Sequence, residues 1–247
     1  MAQGNGQRTA LVTGAAGSIG GSIVTQLAAD GLRVVAVDLS AERLEALADN
    51  VPGLLTVVAD VSTAEGVAAA VDAAGSDLDV VCNSAGVSDG GASIEELDDD
   101  VWERVLRVNL SSVYLMCNRV TPALLARGHG VIINVASVAG LRGGRAGAAY
   151  TATKWAVVGM SQNIASSLGP DGVRCHALCP SRITGAVAMT QGVRRTERGR
   201  FRAERDAGRP PAGRPEDVAE VAAFLVDERA HHLNGLAVPI DGGWLAF

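Results

Sequence analysis

The first forty residues carry the pattern of one β–α–β unit. A short apolar run at 9–13 leads into a glycine-rich turn at 14–20, and a helical pattern connects this turn to a second apolar run at 33–38. Such a unit joins two parallel strands through a crossover helix. The second run ends in Asp38, and an acid about twenty residues beyond a glycine turn is typical of a dinucleotide-binding fingerprint.

The same alternation continues along the chain. Further strands are expected at 54–58, 78–82, 131–135, 173–179 and 236–240, and helices at 41–50, 63–74, 98–127, from 150 onward and at 215–226. Near-continuous apolar strands that alternate with helices predict an α/β fold, a doubly wound parallel sheet with helices on both faces. Because no linker or repeat interrupts the pattern, residues 1–247 are interpreted as a single domain. The long helix at 98–127 is expected to bend or break near Pro122.

Composition argues against several functional classes. The net charge is -6 and aromatic residues make up 3% of the chain, which gives neither a basic footprint nor a stacking surface for nucleic acid. No apolar run is long enough to span a membrane, and the N-terminus lacks the apolar core of a signal peptide. We therefore expect a cytoplasmic protein that binds neither nucleic acid nor membrane.

Cysteines and histidines show no spacing typical of a metal site. The cysteines form no Cys-x-x-Cys pair, which favours free thiols in a reducing compartment: Cys82, Cys117, Cys175 and Cys179. The histidines are similarly unpatterned: His129, His176, His231 and His232. No metal is predicted.

Residues 182–214 form the one break in composition. The segment holds nine arginines and has weak apolar periodicity. Connections of this length in a compact α/β domain are usually lids, so we predict a substrate lid here. The arginines suggest an anionic substrate, but the favoured interpretation is a solvated helix in a chain that uses arginine in place of lysine.

The glycine turn and Asp38 predict which cofactor is bound. Glycines let the backbone approach a pyrophosphate, and free N–H groups at the following helix start receive its charge. Asp38 would accept hydrogen bonds from the adenosine ribose and repel a 2′-phosphate, which predicts NAD(H) over NADP(H). The alternative is that Asp38 only caps the following helix. Asp60, after the third strand, either bonds the adenine amine or caps the next helix.

Tyr150 and Lys154 stand four residues apart at the start of a helical pattern. This spacing puts both side chains on one helix face, one turn apart. Lys154 is the only lysine of the chain, and Tyr150 is one of two tyrosines. A compact ammonium whose pKa can be tuned differs chemically from a planar guanidinium. The alternative is a packed ring beside an extended lysine stem.

Taken together, the motifs resemble the short-chain dehydrogenase/reductase family, in its single-domain branch of about 250 residues. The resemblance covers essentially the whole chain, and these residues carry it: Thr13, Gly14, Gly20, Asp60, Asn83-x-Ala-Gly86, Asn109, Ser137, Tyr150-x-x-x-Lys154, Pro180 and Asp241-Gly-Gly243.

The resemblance implies a Rossmann-type sheet of about seven parallel strands and a nicotinamide cofactor. It also implies a homotetramer, or a homodimer, assembled through the helices around 100–127 and 150–168. The catalytic residues that it implies are Asn109, Ser137, Tyr150 and Lys154. The implied cofactor-binding residues are Gly14, Gly17, Ser18, Ile19, Asp38, Asp60, Val61, Asn83, Ala85, Gly86, Tyr150, Lys154, Pro180 and Ile183.

Three positions depart from the family pattern. Ser18 stands where this branch usually has a glycine, and Ser181 follows Pro180 where glycine is common. Gly185 replaces a threonine that usually contacts the nicotinamide, with Thr184 one place early.

The chemistry of these residue types suits hydride transfer to or from a carbonyl. Free tyrosine titrates near pH 10, and a nearby ammonium is expected to lower that pKa. Tyr150 would then act as general acid or base, and Ser137 would stabilise charge on the substrate oxygen. Asn109 would anchor a water that links Lys154 to solvent. Taken singly, Ser137 could merely end a strand and Asn109 could brace a helix.

The predicted function is an NAD(H)-dependent oxidoreductase that interconverts a secondary alcohol and a ketone. The alternatives are a non-catalytic, NAD-binding regulatory protein on the same fold and an acyl-carrier ketoreductase. Besides the lid, the loops at 87–93 and 138–145 are expected to determine substrate specificity.

Overall fold

The computed structural model describes residues 7–186 and 210–246. In these residues seven parallel strands form one sheet in the order β3-β2-β1-β4-β5-β6-β7. The strands are β1 Thr9–Thr13, β2 Arg33–Asp38, β3 Leu55–Val58, β4 Leu78–Asn83, β5 Gly130–Val135, β6 Val173–Pro180 and β7 Ala237–Ile240. The predicted α/β fold with a doubly wound parallel sheet is confirmed, and the strand bounds differ from the predicted ones by one residue at most.

Helices cover both faces of this sheet. They are α1 Ser18–Ala29, α2 Ala41–Ala48, α3 Ala64–Ala74, α4 Asp99–Leu106, α5 Ser112–Arg127, α6 Ala148–Leu168 and α7 Pro215–Val226. One face packs against α3, α5 and α6, the other against α1, α2 and α7. Alternate side chains of one strand pack into the cores on opposite faces of the sheet, as Leu11 and Val12 of β1 illustrate. This explains the near-continuous apolar strands in the sequence.

The predicted break of the long helix lies elsewhere than expected. Pro122 sits inside α5, which continues to Arg127, whereas a π-helical turn at Arg107–Ser111 separates α4 from α5. The N–H of Ser112 bonds the carbonyl of Arg107, five residues back. Such turns add one residue to the helix and are frequent at functional sites. The prediction of a break near Pro122 was therefore wrong, and the irregular turn contains Asn109.

The direction of the strand order reverses between β1 and β4. Crossovers run outward from β1 toward β3 on one side, and from β4 toward β7 on the other. In open parallel sheets, ligands bind beyond the carboxyl ends of the strands at such a switch point. Thr13 and Asn83 end the two strands that flank it.

The lid predicted at 182–214 lies mostly outside the described residues, which omit 187–209. Its two ends are described, and they pair with each other. Ile183 and Gly213 form a parallel bridge, and the N–H of Thr184 bonds the carbonyl of Gly213 at 2.8 Å. The N–H of Gly213 bonds the carbonyl of Arg182 at 3.0 Å. The two described ends of the segment therefore meet just beyond the carboxyl end of β6.

Candidate active site

The glycine turn between β1 and α1 packs directly on the loop that follows β4. The Thr13 hydroxyl accepts hydrogen bonds from the N–H groups of Ser84 and Ala85, at 3.2 and 3.4 Å. Gly14 has a φ of 63°, and a Cβ there would lie 2.7 Å from the Ala85 Cα. Conformation and close approach both require glycine at this position. Gly14 and Ala85 thus meet at the switch point.

Helix α1 begins without a side-chain cap. Gly17 is its N-cap, Ser18 and Ile19 are its first two residues, and its first turn holds no acid. Helices α2 and α3, in contrast, are capped by the hydroxyls of Ser40 and Thr63. An uncapped helix start presents N–H donors and the positive end of the helix dipole. This arrangement fits a pyrophosphate group.

Asp38 braces the glycine turn. Its carboxylate accepts hydrogen bonds from the N–H of Ala16 at 3.0 Å and of Ser40 at 3.2 Å. The cap of α2 is the Ser40 hydroxyl, which excludes the alternative that Asp38 serves only as that cap. The Arg43 guanidinium lies 3.8 Å from the Asp38 carboxylate. Sequence reasoning missed this basic neighbour because it lies one turn into the next helix.

Asp60 and Val61 follow β3 at the same edge of the sheet. Asp60 is exposed, and its carboxylate accepts the N–H of Ser62 at 2.9 Å. Thr63 caps α3, so the carboxylate of Asp60 is not used for that purpose. The Val61 side chain packs into the core.

The side chain of Asn83, a residue that the resemblance assigns to the cofactor site, takes part in a buried polar chain. Its amide donates to Asn134 Oδ1 at 2.9 Å, and Asn134 in turn donates to the Ser161 hydroxyl at 2.9 Å. All three side chains are at most 4% exposed. This buried polar chain ties β4 to β5 and α6. Its only signal in the sequence is the asparagine inside the apolar run at 131–135.

The predicted catalytic residues converge at the carboxyl ends of β5 and β6. Ser137 follows β5, and its hydroxyl contacts the Pro180 carbonyl at 3.4 Å. The Lys154 ammonium lies 5.4 Å from the centre of the Tyr150 ring and donates to the Val135 carbonyl at 2.8 Å. Val135 immediately precedes this loop, so helix α6 holds both side chains of the pair against the end of β5.

Burial sets the protonation of this pair. Removal from water raises the pKa of Tyr150 to about 12, while a hydrogen bond with Ser137 lowers it and the Asp89 charge raises it. Removal from water also lowers the pKa of Lys154 to about 8. The Lys154 ammonium was expected to lower the pKa of Tyr150, but the pKa of Tyr150 is raised and Lys154 is not among the groups that shift it. At neutral pH the phenol is protonated and the lysine is mostly charged.

Asn109 contacts the loop after β4 directly. Its Oδ1 accepts the N–H of Val87 at 2.7 Å, and its amide donates to the Val87 carbonyl at 2.9 Å. A Cβ on Gly86 would lie 3.4 Å from Asn109 Oδ1 and 3.8 Å from the Lys154 ammonium. The side chain of Asn109 thus fixes the loop that passes beside Lys154, a role that the expected water anchor did not include.

The first residues of the predicted lid lie beside the glycine turn. Pro180 ends β6, and Ile183 packs into the core with 6% of its surface exposed. A Cβ on Gly185 would lie 3.7 Å from the Ser18 Cβ. Two of the positions that depart from the family pattern, Ser18 and Gly185, are therefore neighbours in space.

A cavity of about 510 Å³ opens at the opposite edge of the sheet. It lies between the end of α1 and α7, and its lining includes Arg8, Asp30, Phe224 and Arg229. Arg8 and Leu32 precede β1 and β2, so this cavity is at the amino ends of the strands. It is remote from the residues described above.

Two further observations concern the described residues only. None of their helices is both long and apolar enough to cross a bilayer. No group of three or more His, Cys, Asp and Glu side chains among them could hold a metal ion.

The chain is similar to known proteins over nearly its full length. A family model described as enoyl-(acyl carrier protein) reductase matches residues 14–245. The 3beta-hydroxysteroid dehydrogenase 2 of Eggerthella lenta is 41% identical over 250 residues, which cover 97% of this chain and 95% of that protein.

Solved structures give the same result. A 3-ketoacyl-(acyl-carrier-protein) reductase from Brucella melitensis, complexed with NADH, matches with a TM-score of 0.85 and 31% identity over 96% of this chain and 98% of that one. A variant of actinorhodin polyketide ketoreductase with NADPH matches with a TM-score of 0.85 and 29% identity over the whole of both chains. Fold, motifs and relatives agree, and the chain belongs to the short-chain dehydrogenase/reductase family.

Proposed function

We propose that this protein is an NAD(H)-dependent oxidoreductase that interconverts a secondary alcohol and a ketone, with Tyr150 as general acid and base. The observation that carries the proposal is the meeting of Ser137, Tyr150 and Lys154 at the edge of the sheet where the uncapped start of α1 also lies. Relatives that act on alcohols and ketones support the class of reaction.

The nicotinamide supplies or accepts the hydride when it is bound. Tyr150 handles the accompanying proton: its phenol, protonated at neutral pH, donates to the carbonyl oxygen during reduction and takes the proton back during oxidation. The Ser137 hydroxyl, hydrogen-bonded to the phenol, is placed to bond the same oxygen. The Lys154 ammonium has three donors, of which Val135 takes one, so it can also hold ribose hydroxyls.

Asp38 supports the choice of NAD(H) over NADP(H). Its carboxylate stands beside the glycine turn, where a 2′-phosphate would meet its negative charge. Arg43, half exposed and 3.8 Å away, offsets part of that charge and would be the natural partner of a 2′-phosphate. One structural relative was solved with NADH and another with NADPH, so the preference rests on these two side chains.

Two other functions are weighed against this one. An acyl-carrier ketoreductase is favoured by the names of the family model and of a structural relative, and reduction of the 3-keto group of an acyl-carrier thioester would identify it. A non-catalytic NAD-binding regulator is disfavoured, because it would not need a buried lysine beside a half-buried tyrosine.

The proposal is tested by following the change in NADH absorbance with each compound of a panel of alcohols and ketones. The panel should include 3β-hydroxysteroids, alicyclic alcohols, paired neutral and carboxylated ketones, and an acyl-carrier thioester. We expect NAD(H)-linked turnover that Tyr150→Phe reduces by at least about 10³-fold while NADH binding is retained. Full turnover in that variant would contradict the proposal, and turnover of the acyl-carrier thioester alone would favour the ketoreductase alternative.

A homotetramer, or a homodimer, is proposed for the assembly. Helices α4, α5 and α6 leave Trp102, Tyr114 and Trp155 at 36%, 56% and 49% exposure, and large aromatic side chains on exposed helices favour a covered surface. Light scattering after size exclusion measures the mass, and Trp155→Glu should lower it.

The four cysteines are all buried and free, which supports a reducing, cytoplasmic location.

A further inference from the structure

Helix α6, which carries Tyr150 and Lys154, starts at a residue that cannot cap it. Gly147 is the N-cap and has no side chain, and the first turn contains no acid. The first N–H groups of a helix have no partner within the helix and need one from elsewhere. In this helix the third residue of the first turn is Tyr150 itself.

The missing cap comes from the loop after β4. Asp89 Oδ2 accepts the N–H of Tyr150 at 2.9 Å, and its Oδ1 accepts the N–H of Gly91 at 3.0 Å. The neighbouring carbonyl of Ala92 accepts the N–H of Ala148 at 2.9 Å. Asp89 is 1% exposed, so this carboxylate is held in the interior at the positive end of the helix.

The contact with Asp89 requires that residue 147 has no side chain. A Cβ at that position would overlap both carboxylate oxygens of Asp89. Its φ of -72° and ψ of 177° are the extended conformation that any N-cap residue adopts, so its backbone does not require glycine. The absence of a side chain is explained by the approach of Asp89.

We propose that Asp89 is a positioning residue for catalysis, which caps α6 from another loop and thereby holds Tyr150 in register with Ser137 and Lys154. The proposal rests on the function proposed above. A small displacement of a reacting group can cost about 10²-fold in rate, so a lost cap at this position reaches the chemistry.

The charge of Asp89 has a second effect. Burial is the main cause of the raised pKa of Tyr150, and the Asp89 charge adds a smaller increase because it disfavours the phenolate. The other groups that act on the pair are Ser137, which bonds the phenol, the Lys154 ammonium on the same helix, and Cys179 of β6 beside that ammonium. Removal of the Asp89 charge alone should therefore shift the pH profile of alcohol oxidation toward lower pH.

Four variants test the proposal: Asp89→Ala, Asp89→Asn, Gly147→Ser and the double variant Asp89→Ala/Gly147→Ser. We expect Asp89→Ala to lower kcat by about 10- to 100-fold, with the Kd for NADH within about twofold of wild type. In the double variant, serine fills the vacated space and supplies a local cap, so kcat recovers by about tenfold over Asp89→Ala. Gly147→Ser alone should be worse than the double variant, because serine overlaps the carboxylate.

Asp89→Asn separates the cap from the charge. The amide oxygen can still accept from the N–H of Tyr150, but the amide NH2 then faces the N–H of Gly91. The kcat should therefore lie between those of Asp89→Ala and wild type, while the pH profile moves toward lower pH. Wild-type kcat in Asp89→Ala, or no recovery in the double variant, would overturn the proposal.

Hydrogen exchange gives a readout that is independent of activity. The amide of Tyr150 should exchange faster in Asp89→Ala and regain protection in the double variant. If the wild-type protein turns over no alcohol or ketone, the proposed function fails, while this exchange experiment still decides whether Asp89 caps α6. Unchanged exchange in Asp89→Ala would refute the cap whatever the activity.

Discussion

The Lys154 ammonium donates a hydrogen bond to the carbonyl oxygen of Val135 across 2.8 Å, and the residue is 4% exposed. A neutral carbonyl replaces little of the hydration that a cation loses on burial. The pKa of Lys154 accordingly falls to about 8. The candidate active site thus holds a charge at the expense of folding stability.

Lys154→Met should therefore stabilise the fold and abolish turnover. At pH 7 we expect the free energy of unfolding to rise by about 1–3 kcal/mol, since a buried cation is replaced by an apolar chain of similar length. Between pH 8 and 10.5 the folded wild type binds fewer protons than the unfolded chain, so its stability rises with pH, and the variant lacks this rise. Urea unfolding at pH 7, 9 and 10 measures both effects. A variant that is less stable at pH 7 would contradict the prediction.

Gly140→Ala should displace helix α6. A Cβ at this position would lie 2.5 Å from the backbone carbonyl oxygen of Lys154, and a backbone atom cannot easily move aside. We expect a loss of about 1–3 kcal/mol in stability and a larger fractional loss in kcat than in NADH affinity. Gly143→Ala is the matched control, because a Cβ there meets nothing within 4 Å. Equal behaviour of the two variants in thermal unfolding and kinetics would disprove the expected clash.

Asp38→Ser should shift the cofactor preference toward NADP(H). The substitution removes the charge that opposes a 2′-phosphate and frees Arg43, 3.8 Å away, to pair with it. We expect the ratio of kcat/KM for NADPH over NADH to rise by at least about tenfold. The double variant Asp38→Ser/Arg43→Ala is the control and should lose most of this gain. A ratio that stays at its wild-type value would show that another contact sets the preference.

His176→Leu should protect the fold against acid. His176 of β6 is fully buried, and neither ring nitrogen has a hydrogen-bond partner among the described residues. Burial first, and then the Arg174 charge, lower the pKa of His176 to about 4. Below pH 6.5 the unfolded chain binds a proton that the folded chain does not, so stability falls as pH drops from 6.5 to 4, by up to about 3 kcal/mol.

Denaturant unfolding of both proteins at pH 7, 5.5 and 4.5 measures this effect. The difference between variant and wild type should widen steadily as the pH falls, since carboxylates contribute equally to both. A constant difference would mean that His176 is protonated inside the folded protein.

The sequence was sufficient to predict the sheet, the helices and the candidate pair Tyr150 and Lys154. Parallel strands buried on both faces leave continuous apolar runs, and the spacing of Tyr150 and Lys154 is a local property of one helix. The position of Asp38 followed from the spacing within one β–α–β unit for the same reason.

Contacts between distant loops could not be predicted in this way. Asp89 and Tyr150 are 61 positions apart, and nothing in the local pattern around either indicates the cap. The π-helical turn at Arg107–Ser111 was missed because a tertiary contact, the bond of Asn109 with Val87, accompanies it, whereas Pro122 gave a local but misleading signal. The bond of Asn83 with Asn134 was likewise not predicted, because Asn134 lies on another strand.

The bridge between Ile183 and Gly213 brings two residues that are 30 positions apart together just beyond the carboxyl end of β6. Both ends are anchored at one point of the scaffold, and the entropy of closing a loop between fixed ends grows only slowly with its length. A change in the number of residues between 183 and 213 should therefore cost the fold little free energy as long as this bridge is kept.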